Sequence, residues 1–345
     1  MRPSFYPRLV NGPFDDPGLF VPFLLEKRAV MFDLGDIHAL SPRDIHKISH
    51  IFITHTHMDH FIGFDRLLRL FLGRNQPICM YGPEGFIQNV EGKLAGYSWN
   101  LVKHYGYQFS LQVSEVHPDH LITKEYLCRN RFLPDQKDIK QPFNGILHQE
   151  AALSVCAELL DHDISCLGFR LQEGFHINIM KERVAKLGLE AGPWLNEFKQ
   201  ALFNSQDPHS EFEVKCGKNL SIQKRFVVGE LAKQIALITP AQIVAYIADV
   251  AYSRSNVEKI VKLAQDADHL FIEAAFLEED RDIAGEKGHL TAWQAGRIAG
   301  MARVKQFTPF HFSPRYTDRE HLLEKEARQA YEEEIKKSLP NTEAG

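Results

Sequence analysis

Four metal-binding side chains lie within six residues of the chain, directly after a short apolar run. The segment reads His55-Thr56-His57-Met58-Asp59-His60, and Ile51-Phe52-Ile53 precedes it. Alternate side chains of a strand share one face, so His55 and His57 can approach one ion, while Asp59 and His60 lie where the chain turns. A purely structural role is disfavoured, because such a polar group is costly to bury without a cation. Imidazole and carboxylate ligands predict zinc or a similar divalent ion.

Short apolar strands alternate with amphipathic helices on both sides of this motif. The apolar period after Asp59 and His60 predicts that these two residues open a helix that reaches Phe71. Two α/β halves, each a mixed sheet covered by helices, would form a four-layer αβ/βα sandwich whose loops meet at one edge. The predicted strands are 22–36, 48–54, 77–83, 108–116, 153–160, 167–173, 243–248, 269–275 and 305–310. One predicted helix follows the strand at 77–83 and ends near residue 97, and the other main helices are 255–266, 291–303 and 318–338.

Length and composition place the chain among ordinary globular proteins. It has 345 residues, 44% of them hydrophobic and 25% charged, and no apolar run approaches the ~20 residues that span a bilayer. Its five cysteines are widely spaced without a Cys-x-x-Cys pair, as in a reducing compartment. We therefore expect a cytoplasmic protein with no membrane partner. The net charge of −5 argues against coating nucleic acid by bulk electrostatics, so an RNA substrate would have to meet local basic patches.

Three more potential ligands follow predicted strands at a distance from the first motif. His162 ends the run Ala157–Asp161, Asp249 ends Ile243–Ala248, and His311 ends Val304–Phe310. Any one of them alone is more often an ordinary surface or core residue than a ligand. Together with the residues at 55–60, they predict that ligands from both halves complete one metal site.

At these residues the chain resembles the tRNase Z (ribonuclease Z) group of the metallo-β-lactamase superfamily, over about residues 20–316. The resemblance therefore implies a metallo-β-lactamase-type sandwich and a metal-dependent phosphodiesterase. The three motifs that carry it, besides the first, are His162-Asp163-Ile164-Ser165-Cys166-Leu167-Gly168-Phe169-Arg170, Gly288-His289-Leu290-Thr291-Ala292 and His311-Phe312-Ser313-Pro314-Arg315-Tyr316.

The resemblance also implies roles for individual residues. Asp249 would bridge two Zn²⁺ ions (Mn²⁺ or Fe²⁺ being alternatives), and Asp59 would also accept a proton from the attacking water. His289, oriented by Glu273, would be the general acid for the leaving oxygen, although a histidine at a helix start can also simply face solvent. The implied ligands are His55, His57 and His162 for one ion and Asp59, His60 and His311 for the other.

The sequence departs from this group at several places. Ile272-Glu273-Ala274-Ala275 stands where the group has His-Glu-Ala-Thr, and Ala248-Asp249-Val250 stands where it has Gly-Asp-Thr. The N-terminal Pro-x-Lys-x-Arg-Asn loop that senses the RNA 3′ end is matched only by Pro7-Arg8-Leu9-Val10-Asn11-Gly12-Pro13. The mechanism depends little on these differences, but they leave the substrate open.

Two segments are interpreted as insertions into a single hydrolase domain. Residues 117–150 are rich in charge and proline and are expected to form a polar surface insertion. Residues 176–230 resemble the protruding arm with which the tRNase Z group grips tRNA. An ordinary solvated helix, with a small core around Trp194 and Phe198, is an equally good interpretation of the individual arm residues. The candidate phosphate contacts are Lys181, Arg183, Lys186 and Lys199 in the arm, and Arg315 outside it.

Three functions remain compatible with these observations. The first is a dinuclear-metal endoribonuclease that cleaves precursor tRNA near its 3′ end, and a homodimer is the expected assembly. The second is a phosphodiesterase, or other ester hydrolase, of small molecules such as a cyclic nucleotide. The third is a non-catalytic RNA-binding protein, which an intact ligand set disfavours. The fold alone does not choose among them.

Overall fold

The computed structural model describes residues 5–24, 26–134, 138–150, 153–174, 176–203, 206–217, 222–239 and 242–338. The chain forms two compact units. The main unit comprises Met1–Leu147, Val155–Leu171 and Ile243–Gly345, and the small unit comprises His148–Ser154 and Gln172–Gln242. The predicted arm at 176–230 therefore lies inside the small unit, whose boundaries are wider.

The first sheet of the main unit has eight strands in chain order. Strands β3 to β6 run parallel, and antiparallel strands flank them on both sides. Parallel strands place their C-terminal ends at one edge, and the predicted metal motif follows β4 at that edge. The strands are β1 (Arg8–Leu9), β2 (Leu19–Pro22), β3 (Ala29–Phe32), β4 (Ile48–Phe52), β5 (Ile78–Pro83), β6 (Ser110–Val116), β7 (His120–Leu127) and β8 (Ile139–Pro142).

The second sheet has six strands and supplies the other ligand-bearing loops. Strands β16, β17 and β18 are parallel, so the residues after them meet at one edge. Strands β10 and β11 are neighbours joined by the short turn that holds His162. The spatial order is β18 (Phe307–Phe310), β17 (His269–Glu273), β16 (Ile243–Ile247), β11 (Ser165–Glu173), β10 (Leu153–Asp161) and β9 (Ile146–Gln149).

Helices cover the outer face of each sheet, and aromatic rings fill the space between the sheets. The ring centroid of Phe32, in the first sheet, lies 5.3 Å from that of Phe52 in the same sheet. It lies 5.5 Å from the ring centroid of Phe169 and 5.8 Å from that of Tyr246, which both belong to the second sheet. This arrangement confirms the predicted four-layer sandwich. The helices on the first sheet are α1 (Pro42–Ile45), α2 (Met58–Phe61), α3 (Phe64–Phe71) and α4 (Phe86–Ala95); those on the second are α8 (Arg254–Ala264), α9 (Arg281–Glu286), α10 (Ala292–Met301) and α11 (Glu320–Ser338).

The small unit has its own sheets, helices and core. Trp194 and Phe198 are buried there with Val214, Leu231 and Ile235, which confirms the predicted small core around the two aromatic residues. The unit contains the antiparallel pairs β12 (His176–Ile179) with β15 (Ala236–Thr239) and β13 (Glu211–Cys216) with β14 (Ile222–Val227), and the helices α5 (Lys181–Lys186), α6 (Trp194–Phe203) and α7 (Val228–Ile235).

Three predicted elements differ from the structure. The strand predicted at 22–36 is two strands, because β2 ends at Pro22 and β3 begins at Ala29. The helix after Asp59 is interrupted at Gly63, whose N–H donates to Leu34 O at 2.8 Å. A Cβ at Gly63 would lie 2.3 Å from Gly35 O, so this close approach requires glycine.

The segment 117–150 also differs from its description as a polar surface insertion. Its first strand, β7, pairs with β6 along its full length and therefore extends the first sheet. Leu121 and Thr123 are buried on one face of β7, and Tyr126 is buried on the other. The polar residues between them conceal the strand in the sequence. Among the described residues, no helix is long and apolar enough to cross a membrane.

Candidate metal centre and adjoining pocket

The seven predicted ligands converge at the shared edge of the two sheets. His55 and His57 follow β4, and Asp59 and His60 lie in the first turn of α2. Helix α2 begins there because His57 is extended and caps it, with His60 N donating to His57 O at 3.1 Å. The second sheet contributes the other three, which follow β10, β16 and β18: His162, Asp249 and His311.

Asp249 lies at the centre of this cluster. Its Oδ2 is 3.7 Å from His55 Nε2, 3.4 Å from His60 Nε2 and 3.6 Å from His162 Nε2. Its Oδ1 is 3.4 Å from His311 Nε2. One carboxylate therefore faces histidines of both predicted ligand sets, which is the position required of a bridging ligand.

The cluster separates into two groups that share Asp249. Within each group the ligand atoms lie within 4.8 Å of one another. His311 Nε2 also lies 3.2 Å from Asp59 Oδ2, which joins the last ligand to the first motif. The groups are His55, His57, His162 and Asp249, and Asp59, His60, Asp249 and His311, the two sets that the resemblance implies.

Several atoms of the cluster are buried without a hydrogen-bond partner among the described residues. They are His55 Nε2, His60 Nε2 and Asp249 Oδ1. Both histidines are fully buried, and Asp249 is 4% exposed. Orphaned polar atoms that converge on one point are costly unless something binds there, and divalent cations bind this donor set. The residues present therefore fit two metal ions.

The histidines of the cluster differ in their electrostatics. Although burial opposes their protonation, Asp249 and Asp33 raise the pKa of His60 well above its usual range, and Asp249 and Asp59 raise the pKa of His311, so both must release a proton when they bind a cation. Burial and the neighbouring His60 lower the pKa of His55 to about 2, so its imidazole is neutral, as a metal ligand must be. Burial opposes ionisation of Asp59, but the hydrogen bond from His311 and the charges of His60 and His311 lower the pKa of Asp59 to about 2. Burial likewise opposes ionisation of Asp249, yet His311 and His60 hold the pKa of Asp249 well below its usual range.

Asp33 orients the ligand His60 through the ring nitrogen that points away from Asp249, a role that the sequence did not reveal. Its buried carboxylate accepts hydrogen bonds from Thr54 N at 2.7 Å, His60 Nδ1 at 2.9 Å and the hydroxyl of Tyr246 at 3.0 Å. The bond to Nδ1 turns Nε2 of His60 toward the cluster. The available signal was an acidic residue after β3, at the same edge as the motif after β4. His162 is oriented similarly, because its Nδ1 donates to Gly288 O at 2.7 Å.

His289 lies beside the cluster and contacts Glu273, as predicted. Its Nδ1 is 3.2 Å from Glu273 Oε2, and the other oxygen of Glu273 accepts Val250 N at 2.7 Å. The position of His289 is set by helix α10, whose N-cap Thr291 lies two residues later and forms a capping box with Gln294. Although burial opposes its protonation, Glu273 raises the pKa of His289 to about 9.

Comparisons with known proteins agree with this geometry. No protein-family model matches the sequence. The curated protein "Ribonuclease Z" of Enterococcus faecalis is 29% identical over 336 residues, which cover 94% of this chain and 88% of that protein, and other curated bacterial relatives share its name. The chain is therefore similar to curated Ribonuclease Z proteins over most of its length, and it has the metallo-β-lactamase fold.

Two crystal structures show the fold independently of close sequence similarity. The metallo-β-lactamase fold protein YhfI from Bacillus subtilis superimposes with a TM-score of 0.52 at 15% identity, covering 95% of this chain and 94% of YhfI. The short form of human tRNase Z superimposes with a TM-score of 0.51 at 18% identity, covering 91% of this chain and 93% of the human protein. Both cover nearly the whole of this tRNase Z-like chain.

A pocket of about 250 Å³ adjoins the ligand cluster of the tRNase Z-like protein. Its wall includes two ligands and the candidate general acid, so a bound molecule would reach the reacting centre. Phe14, Asp15 and Asp16, which follow the segment Pro7–Pro13, also line the pocket. The lining residues are Phe14, Asp15, Asp16, Asp59, Ala275, Phe276, Lys287, His289, His311, Phe312, Ser313 and Pro314.

The predicted substrate contacts have different surroundings. Lys181, Arg183 and Lys186 are exposed on α5 of the small unit, which suits either a phosphate contact or a solvated helix. Lys199 is half-buried, and burial lowers its pKa. Arg315 forms an ion pair of 3.1 Å with Asp280 and lies over Phe276 at 5.8 Å, so any contact with substrate would compete with these interactions.

Proposed function

We propose that this tRNase Z-like chain is a metal-dependent endoribonuclease that hydrolyses a phosphodiester of precursor tRNA at its 3′ end. The observation that carries the proposal is the convergence of six ligand side chains on a shared Asp249, with a His289–Glu273 pair beside them. The curated relatives named Ribonuclease Z support the choice of RNA as substrate. We further propose two zinc ions, with manganese or iron(II) as alternatives, a homodimer and a cytoplasmic location.

The side chains of the cluster supply positioning and proton transfer. When bound, two such ions lower the pKa of a shared water and stabilise charge on the attacking and leaving oxygens. Asp59 is 41% exposed at its side chain and points toward the cluster, so it can accept a proton from the attacking water and release it to solvent. Asp33 and Gly288 O hold His60 and His162 in the orientation that presents Nε2.

His289 supplies a proton to the departing 3′ oxygen. A general acid must carry its proton at the working pH, and the Glu273 carboxylate at 3.2 Å favours the protonated ring. Because Nδ1 is held by Glu273, Nε2 is the nitrogen left to meet the substrate. Glu273 is itself fixed by Val250 N, so the pair is a preorganised donor rather than a mobile one.

We propose that the small unit binds RNA and takes no part in the cleavage step. Its helix α5 presents Lys181, Arg183 and Lys186 to solvent, and its own core supports that helix through Val184. Cations on a separately folded unit can contact phosphates without altering the chemistry at the metal centre. Arg315 is a further candidate contact in the main unit.

A specific observation favours the second candidate, a phosphodiesterase of small molecules. The RNA-end-sensing loop is matched only poorly, at Pro7–Pro13, and two acidic residues, Asp15 and Asp16, line the pocket beside the metal centre. A small diester would fit the pocket of about 250 Å³ and would not need the small unit.

The two candidates are separated by one experiment with purified, metal-loaded protein. We expect cleavage of a 3′-extended precursor tRNA at a single position, with a kcat/KM far above that for bis(p-nitrophenyl) phosphate. The RNA products should carry a 3′-hydroxyl and a 5′-phosphate, because the 3′ oxygen leaves. Turnover of the nitrophenyl diester without any cleavage of the tRNA would support the small-molecule enzyme and overturn the proposed substrate.

A further inference from the structure

The pocket beside the metal centre has an acidic wall that neither the ligand set nor the general acid uses. Asp15 and Asp16 of the loop 12–16 line this pocket together with His289 and His311. Asp15 is exposed and its Oδ2 accepts Gly12 N at 3.2 Å. Asp16 is half-buried and close enough to Asp59 for the negative charge there, together with burial, to raise the pKa of Asp16.

The chain fixes the main-chain position of Asp16. Asn11 Nδ2 donates both to Asp16 O at 2.8 Å and to Asp36 O at 2.7 Å, which ties the two loops together. Phe312 N donates to Pro13 O at 2.7 Å, and the ring of Phe14 lies against that of Phe312 at 5.5 Å. The loop is therefore attached directly to the segment that carries His311.

Gly35 strengthens this attachment. A Cβ there would lie 2.6 Å from the Asp16 Cβ, 2.5 Å from Pro17 O and 2.6 Å from Asp59 O. The backbone at Gly35 is thus packed between the acidic loop and the helix that carries Asp59. An acceptor held this firmly loses little entropy when it binds a ligand.

The Asp16 carboxylate also has spare acceptor capacity. Within the described residues its hydrogen bond is from Asp36 N to Oδ2, at 3.2 Å. A carboxylate has about four acceptor sites, so at least one oxygen can still bind a donor in the pocket. An ionised carboxylate repels phosphate and accepts hydrogen bonds from hydroxyl groups. This wall therefore suits the hydroxyl groups of a sugar and not a phosphate.

We propose that Asp16 accepts a hydrogen bond from the ribose 2′-hydroxyl of the nucleotide whose 3′ oxygen leaves. The inference rests on the proposed RNA cleavage, in which His289 protonates that 3′ oxygen. The 2′ and 3′ oxygens are on adjacent carbons, so a ribose placed for protonation by His289 also brings its 2′-hydroxyl into the same small pocket. A 2′-hydroxyl donor is the group that distinguishes RNA from DNA. Asp16 would therefore make the enzyme specific for ribose at one nucleotide.

The test compares two precursor tRNAs that differ in one atom. One carries ribose throughout, and the other carries a single 2′-deoxynucleotide directly 5′ of the scissile phosphate. A hydrogen bond to a charged acceptor predicts that the deoxy substitution lowers kcat/KM of the unmodified enzyme about 10- to 100-fold. In the Asp16→Ala enzyme the two substrates should differ less than about 3-fold, because the acceptor is gone.

Asp15→Ala is the matched control, because it removes the same charge from the same loop. The Asp15→Ala enzyme should keep the full deoxy penalty, by which we mean the fall in kcat/KM caused by the 2′-deoxy substitution. A general electrostatic effect would instead change this penalty equally in the Asp15→Ala and Asp16→Ala enzymes. Asp16→Asn retains a neutral acceptor and the approximate shape, so its penalty should fall between those of the unmodified and Asp16→Ala enzymes. Melting temperature and bound metal of each variant check that the fold and ligand cluster survive.

Two outcomes would overturn the inference. One is an equal deoxy penalty in the unmodified and Asp16→Ala enzymes, and the other is no penalty in the unmodified enzyme. Failure of the unmodified enzyme to cleave the all-ribose tRNA is a different result, because it rejects the proposed function itself. A 2′-deoxynucleotide directly 3′ of the scissile phosphate should have no effect that depends on Asp16.

Discussion

The ligand cluster of the main unit and the basic surface of the small unit are built in opposite ways. The cluster consists of side chains from four segments that meet at Asp249, several of them buried without partners among the described residues. The basic surface consists of Lys181, Arg183 and Lys186 on one short helix, each exposed to solvent. Burial of unpaired polar atoms needs an explanation such as a metal, whereas an exposed cation needs none. The first region therefore identifies its own chemistry, and the second requires an experiment.

The largest effect should come from the centre of the cluster. Asp249→Ala removes a carboxylate that faces both ligand groups, so we expect bound metal to fall from two ions per chain to one or none. Turnover should fall about 10³-fold or more, since metal stabilisation of the transition state is worth several kcal/mol. Elemental analysis and kcat measure the two quantities.

Glu258→Ala is the control for Asp249→Ala. Glu258 is an exposed acidic residue on α8 that forms an ion pair with Arg254, one helical turn earlier. Its metal content and kcat should match those of the unmodified protein. A carefully prepared unmodified protein with one ion per chain would contradict the dinuclear site.

A smaller effect is expected at the general acid. His289→Ala should lower kcat for RNA about 100-fold and leave metal content unchanged, because proton donation is lost while the ligand groups remain. With bis(p-nitrophenyl) phosphate the loss should be only a few-fold, since nitrophenolate leaves without a proton. His321→Ala, at an exposed position on α11, should affect neither substrate. Equal losses on both substrates would make His289 a structural residue.

The smallest effect is expected from the basic surface of the small unit. Replacing Lys181, Arg183 and Lys186 together by Ala should raise KM for precursor tRNA roughly tenfold and leave kcat and hydrolysis of the nitrophenyl diester unchanged. Each lost phosphate contact should also reduce the slope of log affinity against log salt by about 0.9 or less. The triple variant Lys325→Ala, Arg328→Ala and Lys336→Ala removes the same charge from α11 and is the control.

This last comparison decides between the two interpretations of the arm. An unchanged KM and salt slope in the small-unit variant would identify α5 as an ordinary solvated helix. Equal changes in both triple variants would instead indicate a general charge effect.

The metal centre could be predicted from sequence because its residues follow apolar strands. His162, Asp249 and His311 lie up to 256 residues from His55, yet each occupies the same position relative to a strand, and parallel strands end at a common edge. The fold was predictable for a similar reason, since alternating strands and helices leave few possible layer arrangements. The helix break at Gly63 was not predictable, because its cause is a hydrogen bond to Leu34 in another segment.

The supporting residues were harder to predict than the ligands. Tyr246 lies within an apolar strand, where its hydroxyl gives no local sign that it reaches Asp33 on the other sheet. Asp16 lies in a loop whose sequence matched no expected motif, and only the packing of Phe14 and Pro13 against Phe312 places it beside the pocket. The strand β7 was missed because two charged residues, Lys124 and Glu125, separate its buried Thr123 from its buried Tyr126 and interrupt the strand pattern.

The hydrogen bond from Tyr246 to Asp33 has a consequence for how the main unit unfolds. Asp33 ends a strand of the first sheet, Tyr246 belongs to the second, and both side chains are fully buried. If one sheet opened alone, it would leave a buried carboxylate without one of its partners, and a loss of this kind costs more than the bond contributes in the intact protein. Partial opening is therefore penalised more strongly than complete unfolding. The two sheets should melt in a single cooperative transition, and the aromatic layer around Phe32 should stay protected from hydrogen exchange until that transition.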